Sequence, residues 1–224
     1  MEDIVTLEEK SEEKKLGALA FAAALLAIAG FVDATGFLTL GHLFVSFMSG
    51  NSTQAAIAAA QGAWRDAAAP GGIVAAFVSG VVCGRLTAGD AKNRHRPIIL
   101  AVETVCLGAA ALTPRLAAIA FMAFAMGAQN AVLHKVGAAR TSLTYVTGTL
   151  VNFGETVAEA LLGSGSALLA IAYFSQWISL IVGGALGAIA YRSYGLQALF
   201  APAAALAGLS ILTSALDWRV GRRL

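Results

Sequence analysis

Asp33 stands in an apolar run, Gly30-Phe31-Val32-Asp33-Ala34, and an acid in such a run invites a chemical reading. At the centre of a membrane helix a carboxylate costs about 2.5–3.5 kcal/mol, so it must face the protein interior or a water-filled cavity. There it can carry a proton or touch a ligand. The plain alternative is a structural hydrogen bond to a nearby break in the backbone. At Gly50, 17 positions on, Ser49-Gly50-Asn51-Ser52-Thr53 reads as such a break followed by a helix N-terminus. Glycine accepts unusual backbone angles, and Ser, Asn and Thr are good N-caps. A helix N-terminus offers unpaired N–H groups and a partial positive charge, which suit an anion or a carbonyl oxygen.

The same set recurs further on. Gln129 and Asn130 are followed, 18 positions after Asn130, by Gly148 in Thr147-Gly148-Thr149, and then by Asn152 and Glu155. Two facing half-helix ends would form a solute or ion site lined by Asp33, Ser49, Gly50, Asn51, Ser52, Gln129, Asn130, Thr147, Gly148, Thr149, Asn152 and Glu155. The alternative is that these side chains only satisfy broken backbone.

Other candidates rank behind these. Glu159 sits one turn beyond Glu155, and Glu103 lies near the start of a segment opened by Pro97. His42 and His134 each follow an apolar segment, where a lone histidine is more often structural than a ligand. Cys83 and Cys106 lie in apolar runs and read as small buried hydrophobes. There is no Cys-x-x-Cys or other metal-ligand spacing, so no metal or cofactor is expected. Ser49 lacks a Gly-x-Ser-x-Gly setting and no His-Glu-x-x-His occurs, so an enzyme is not expected.

These residues need elements to hold them. Apolar residues make up 58% of the 224 residues and charged residues 12%, about half the charge of a soluble domain. Long Ala/Leu/Ile/Gly runs, without the alternation of a β-barrel, predict helices able to cross a ~30 Å hydrocarbon layer. No basic cluster interleaved with aromatics points to nucleic acid. Residues 1–15 are acidic and read as a solvated, disordered cytoplasmic tail. They are too acidic for a secretory signal, and the apolar run that follows acts as an uncleaved first span. Apolar segments fall near 16–40, 44–62, 72–88, 97–113, 115–134, 143–162, 166–191 and 196–216. Pro70, Pro97, Pro114 and Pro202 mark boundaries or helix starts.

Two segments, 44–62 and 143–162, are too polar to face lipid and should sit inside the protein as re-entrant or broken helices. If they do not cross, six crossings remain with both termini cytoplasmic. Of the 15 Lys and Arg, only Arg65, Arg115 and Arg192 then lie outside, a strong positive-inside bias. Arg85 would reach to the cytoplasmic face. Trp64, Trp218, Tyr191 and Tyr194 read as interface anchors, with Trp177 set apart from them.

The order of landmarks suggests an internal duplication with halves at about 16–113 and 114–216. Gly80-x-x-x-Gly84 in the first half matches Gly183-x-x-x-Gly187 in the second. Three crossings per half would invert one half relative to the other, the plan of many secondary transporters. The Gly-x-x-x-Gly pairs allow close helix approach within the chain, with homodimerisation as their competing use.

Four motifs, Gly-Phe-Val-Asp-Ala-Thr-Gly-Phe-Leu (30–38), Phe-Met-Ser-Gly-Asn-Ser (47–52), Gly-Ala-Gln-Asn-Ala (127–131) and Thr-Tyr-Val-Thr-Gly-Thr-Leu (144–150), resemble the YoaK family of bacterial membrane proteins. The resemblance covers nearly all of 16–216. Ser49 departs from it, since Thr is expected before Gly-Asn; the hydroxyl is kept. The family has no assigned activity, so the resemblance implies a polytopic bacterial membrane protein and supplies no substrate.

The expectation is therefore an all-α membrane protein of the bacterial inner membrane, with six transmembrane crossings plus two re-entrant or broken helices as an inverted internal repeat. A single transmembrane domain spans 16–216, followed by a cytoplasmic basic tail at 217–224. Its partners are the lipid bilayer and a small solute. The expected function is a secondary transporter or permease for a small solute, with Asp33 serving proton coupling or direct ligand contact, and a non-transporting membrane scaffold, sensor or assembly factor as the rival.

Overall fold

A computed structural model describes residues 2–88, 95–132, 146–164 and 166–221, the side chains of 2–16 and 217–221 excepted. Every regular element among the described residues is a helix: α1 (Glu2–Leu40), α2 (Met48–Ala60), α3 (Trp64–Ala88), α4 (Arg96–Leu112), α5 (Arg115–Gln129), α6 (Val146–Leu161), α7 (Ala167–Tyr194), a 3-10 turn (Gly195–Leu199) and α8 (Phe200–Gly221). His134, most of the basic loop before Pro97, the basic stretch at 135–140, residues 143–145 and the Trp218 side chain lie outside the described residues.

Apolar runs become helices because a helix pairs its own backbone N–H and C=O groups, which lipid cannot do. Three stretches, Gly17–Leu40, Trp64–Ala88 and Ala167–Leu216, are long and apolar enough to cross a membrane, the last comprising α7, the 3-10 turn and most of α8. The chain is thus an all-helical membrane protein. At 15 residues α5 is apolar but shorter, below the roughly 17–25 residues of a spanning helix.

Punctuation follows the sequence in part. Pro97 sits in the first turn of α4 and Pro114 caps α5. Pro70, expected at a boundary, instead lies inside α3, which begins at Trp64. Gly195 ends α7 with φ +58°, a conformation glycine adopts without a Cβ clash. Residues 2–16, expected as a disordered tail, continue the backbone of α1 as helix.

Helix packing is set by glycines. Gly30 of α1 lies against the Leu180 carbonyl and Gly184 amide of α7, while Gly183 and Gly187 lie against the Ala27 and Phe31 carbonyls. In the same way Gly127 of α5 lies against the Phe77 carbonyl and Val81 amide of α3, and Gly80 and Gly84 lie against the Phe124 and Ala128 carbonyls. A Cβ at Gly30, Gly80, Gly127, Gly183 or Gly187 would overlap backbone, so the helices meet closely only because these side chains are missing. In both crossings the contact numbers rise together, so α1 runs parallel to α7 and α3 parallel to α5. Both Gly-x-x-x-Gly pairs are thus occupied within the chain.

α4 packs on α5 and α8. The Ser210 hydroxyl donates to the Pro97 carbonyl at 2.7 Å, which sets the middle of α8 beside the start of α4, and packing of the 3-10 turn on α4 makes the two helices antiparallel. The core is built from Leu25 and Val32 of α1, Leu100 and Leu107 of α4, Ile119, Met122 and Met126 of α5, and Leu199 and Leu206.

α2 packs on α3, and α6 on α7. Since α3 pairs with α5 and α7 with α1, α2 and α6 lie on different flanks and share no substantial packing. The two expected half-helices are thus not seen in direct contact among the described residues. Only Asn51 is buried in α2, and only Gly148 and Thr156 in α6. Three hydroxyls are satisfied by the turn before: Ser52 donates to the Met48 carbonyl, Thr53 to that of Ser49, and Thr156 to that of Asn152.

Candidate functional site

The densest polar geometry surrounds the link between α1 and α2, residues 41–47. The chain reverses there through Gly41 at φ +57° and His42 at φ +94°, the latter uncommon for a residue with a Cβ. His42, Phe37, Phe44 and Phe47 form a chain of ring contacts in that order, with centroids 4.9 to 5.7 Å apart. The link rests on two glycines. A Cβ at Gly36 would lie 2.7 Å from Val45, and one at Gly50 would lie 2.6 Å from the Phe47 ring.

Asp33 anchors this link from α1. Its Oδ1 accepts the Val45 amide at 2.7 Å and the Ser46 amide at 2.9 Å, and its Oδ2 accepts the Ser46 hydroxyl at 2.5 Å. Asn51 holds it from α2: Nδ2 donates to the Phe44 carbonyl at 2.6 Å and Oδ1 accepts the Phe44 amide at 3.3 Å. Gln54 completes the set, donating from Nε2 to the His42 carbonyl at 2.9 Å. Asp33 and Asn51, both sequence candidates, are therefore brought together through one loop. Ser46 and Gln54 were missed; the clue was their place on either side of the Ser-Gly-Asn-Ser-Thr run.

The other candidates are placed differently. The backbone break lies upstream of Gly50, at 41–47, and α2 is continuous through Gly50. Phe47 occupies the N-cap with no side-chain cap, so Ser49, Asn51 and Ser52 are helix residues rather than caps. Ser49 and Ser52 are exposed. In α6, Thr147, Asn152 and Glu155 are exposed and Thr149 is half-buried. Asn130 follows α5, with its Nδ2 donating to the Met126 and Gly127 carbonyls at 3.0 and 3.4 Å.

Gln129 is fully buried. Its Nε2 donates to the Leu25 carbonyl of α1 at 3.3 Å, and its Oε1 has no partner. Trp177 belongs to an aromatic chain that ties α7 to α6, with Phe174 5.9 Å from it and Phe153 5.5 Å from Phe174. Trp64 and Tyr194 are largely exposed.

Two hollows stand out. One is an open groove of about 740 Å³ along α3 from Gly71 to Thr87. The other is a cleft of about 10 Å³ between α3, α4 and α5. Among the described residues no cluster of His, Cys, Asp and Glu could hold a metal ion.

A family model described as "Protein of unknown function (DUF1275)" matches residues 21–212, a range that contains all four motifs quoted above. The chain is 32% identical over 205 residues to the UPF0700 transmembrane protein RA0705 of Rhizobium meliloti (strain 1021), covering 92% of this chain and 88% of that one. It is 31% identical over 144 residues to the UPF0700 transmembrane protein YoaK of Bacillus subtilis (strain 168), covering 59% and 64% of the two chains. No solved structure matches it. The chain therefore belongs to the DUF1275 family, a YoaK-like group of transmembrane proteins of unknown function.

Proposed function

We propose that the protein is a secondary transporter or permease for a small solute, placed in the bacterial inner membrane with both termini cytoplasmic. The carrying observation is the reciprocity of its glycine crossings. Gly30 meets Leu180 and Gly184 where Gly127 meets Phe77 and Val81, and Gly183 meets Ala27 where Gly80 meets Phe124. Element for element, α1–α4 correspond to α5–α8, and the α1/α7 pairing answers the α5/α3 pairing. A six-crossing path makes the two parallel pairs run oppositely, which is the inverted-repeat plan.

In this reading the candidate residues form two gates rather than one pocket. Asp33, Ser49, Gly50, Asn51 and Ser52 serve the first half. Asn130, Thr147, Gly148, Thr149, Asn152 and Glu155 serve the second, and Gln129 lies between α5 and α1. Solute enters past one gate when the paired helices rock about the glycine crossings.

A thermal-shift screen of the purified protein against small anions, amino acids and metabolites, followed by uptake of each stabilising compound into proteoliposomes, tests the reading. A saturable uptake supports it. Stabilising compounds that never enter the vesicles would refute it.

The rival, a non-transporting scaffold, sensor or assembly factor, draws support from the small size of the enclosed cleft and the exposed polar flanks of α2 and α6. Ser49→Cys and Thr147→Cys, made without Cys83 and Cys106, separate the two. A membrane-impermeant maleimide labels both sites in a transporter, with labelling altered by solute. In a scaffold the labelling ignores solute and changes only with a stoichiometric protein partner.

A further inference from the structure

Glu103 of α4 is 0% exposed, and neither of its carboxyl oxygens has a hydrogen-bond partner. Its neighbours along the helix, Ile99, Leu100 and Leu107, are buried and apolar. A bare carboxylate charge is not sustained in such surroundings; the group must hold a proton or a cation. A metal cation would take several oxygen ligands, and no metal-binding cluster exists among the described residues. The proton fits. Asp33, by contrast, has both oxygens committed to holding Val45 and Ser46.

The loosest packing around α4 lies close to Glu103, though Glu103 itself does not line the cleft there. α4 packs firmly on α5 and α8 but only lightly on α3. At that light seam lies the 10 Å³ cleft, lined by Cys83, Gly84 and Thr87 of α3, Ile99 and Val102 of α4, and Ala128 of α5. This is room for about one water. Ile99 precedes Glu103 by four residues and so shares its helix face, and Val102 is its chain neighbour. The titratable groups on the elements packed against α4 are few. They are Arg65, Asp66, Cys83 and Arg85 of α3 and Arg115 at the start of α5, with Arg96 and Cys106 on α4 itself and His95 at its N-cap. The 3-10 turn and α8 as far as Leu216 contribute none.

We propose that Glu103 is the proton-binding group of this protein, exchanging its proton with water admitted at the α3–α4 seam. With the seam closed the carboxyl keeps its O–H bond. When α3 parts from α4, that bond breaks, the proton passes to water and the carboxylate is hydrated. Closure requires a proton to return. The inference rests on the transport reading for its purpose, while proton binding itself can be read without any solute.

The test uses the intact protein in vesicles of phosphatidylethanolamine and phosphatidylglycerol, treated with dicyclohexylcarbodiimide from acidic to alkaline pH. This hydrophobic reagent adds to protonated carboxyls and leaves a stable N-acylurea, located by peptide mass spectrometry. The adduct should form at Glu103, fall away as pH rises, ignore added sodium and be lost in Glu103→Gln. No adduct at Glu103 at any pH, protection by sodium, or an adduct at Asp33 alone would each overturn the proposal. The wild-type labelling is decisive by itself if the variant fails to fold. Persistent pH-dependent labelling in a protein that moves no solute would uphold the proton site and sink only the transport reading.

Discussion

Asn51 grips the backbone of Phe44 from both sides, donating to its carbonyl at 2.6 Å and accepting its amide at 3.3 Å. One buried amide side chain thereby does for the 41–47 link what a neighbouring strand would do in a sheet. Replacing it with an apolar residue of similar size, Asn51→Leu, leaves both Phe44 groups without a partner. The expected loss is about 1–3 kcal/mol per buried group. A melting curve in detergent should show a clear drop, and an unchanged midpoint would contradict the structure.

Asp33 should behave differently in two substitutions. Asp33→Asn retains an Oδ1 that can accept the Val45 and Ser46 amides, so protein yield and melting temperature should stay close to wild type. Asp33→Ala removes the acceptor for three donors at once and should destabilise strongly, by several kcal/mol at ~1–3 per unpaired group. Equal behaviour of the two variants would mean that the loop is not held by this carboxyl group.

The glycine crossings give a contrast within one residue type. Gly127→Val forces a side chain into the Phe77 carbonyl, at a cost of at least ~1–3 kcal/mol and with loss of monodisperse protein on size exclusion. Gly108→Ala lies where nothing is within 4 Å. It should be neutral or stabilising by about 0.5–1 kcal/mol, since alanine suits a helix interior better than glycine.

Gln129 carries a buried Oε1 with no partner and a long bond to Leu25. A structural role predicts that Gln129→Met is nearly neutral in a thermal melt, because it removes an unsatisfied oxygen along with a weak bond. Normal stability combined with altered uptake of a transported solute would instead mark Gln129 as a solute contact.

Much of this was legible in the residue order. Composition and run length required a membrane protein of helices, since no other local structure satisfies its own backbone in lipid. Asp33, Asn51 and the glycine pairs could be singled out as well, because an acid, a buried amide and spaced glycines each stand out against Ala and Leu. The polar character of α2 and α6 was also plain, but not how their side chains are satisfied. The hydroxyls of Ser52, Thr53 and Thr156 bond back to the preceding turn, and such i to i−4 bonds are invisible until the helix is built.

What the chain order could not settle was who meets whom. That α7 lies on α1 and α3 on α5 depends on which carbonyls fill the spaces left by absent side chains, and every glycine in the sequence offers such a space. Glu103 looked like a residue near a helix end; its isolation from water and from every donor exists only once α4 is closed over by its neighbours. Burial and pairing are properties of distant segments brought together, so local pattern could name the residues while tertiary packing alone assigned their surroundings.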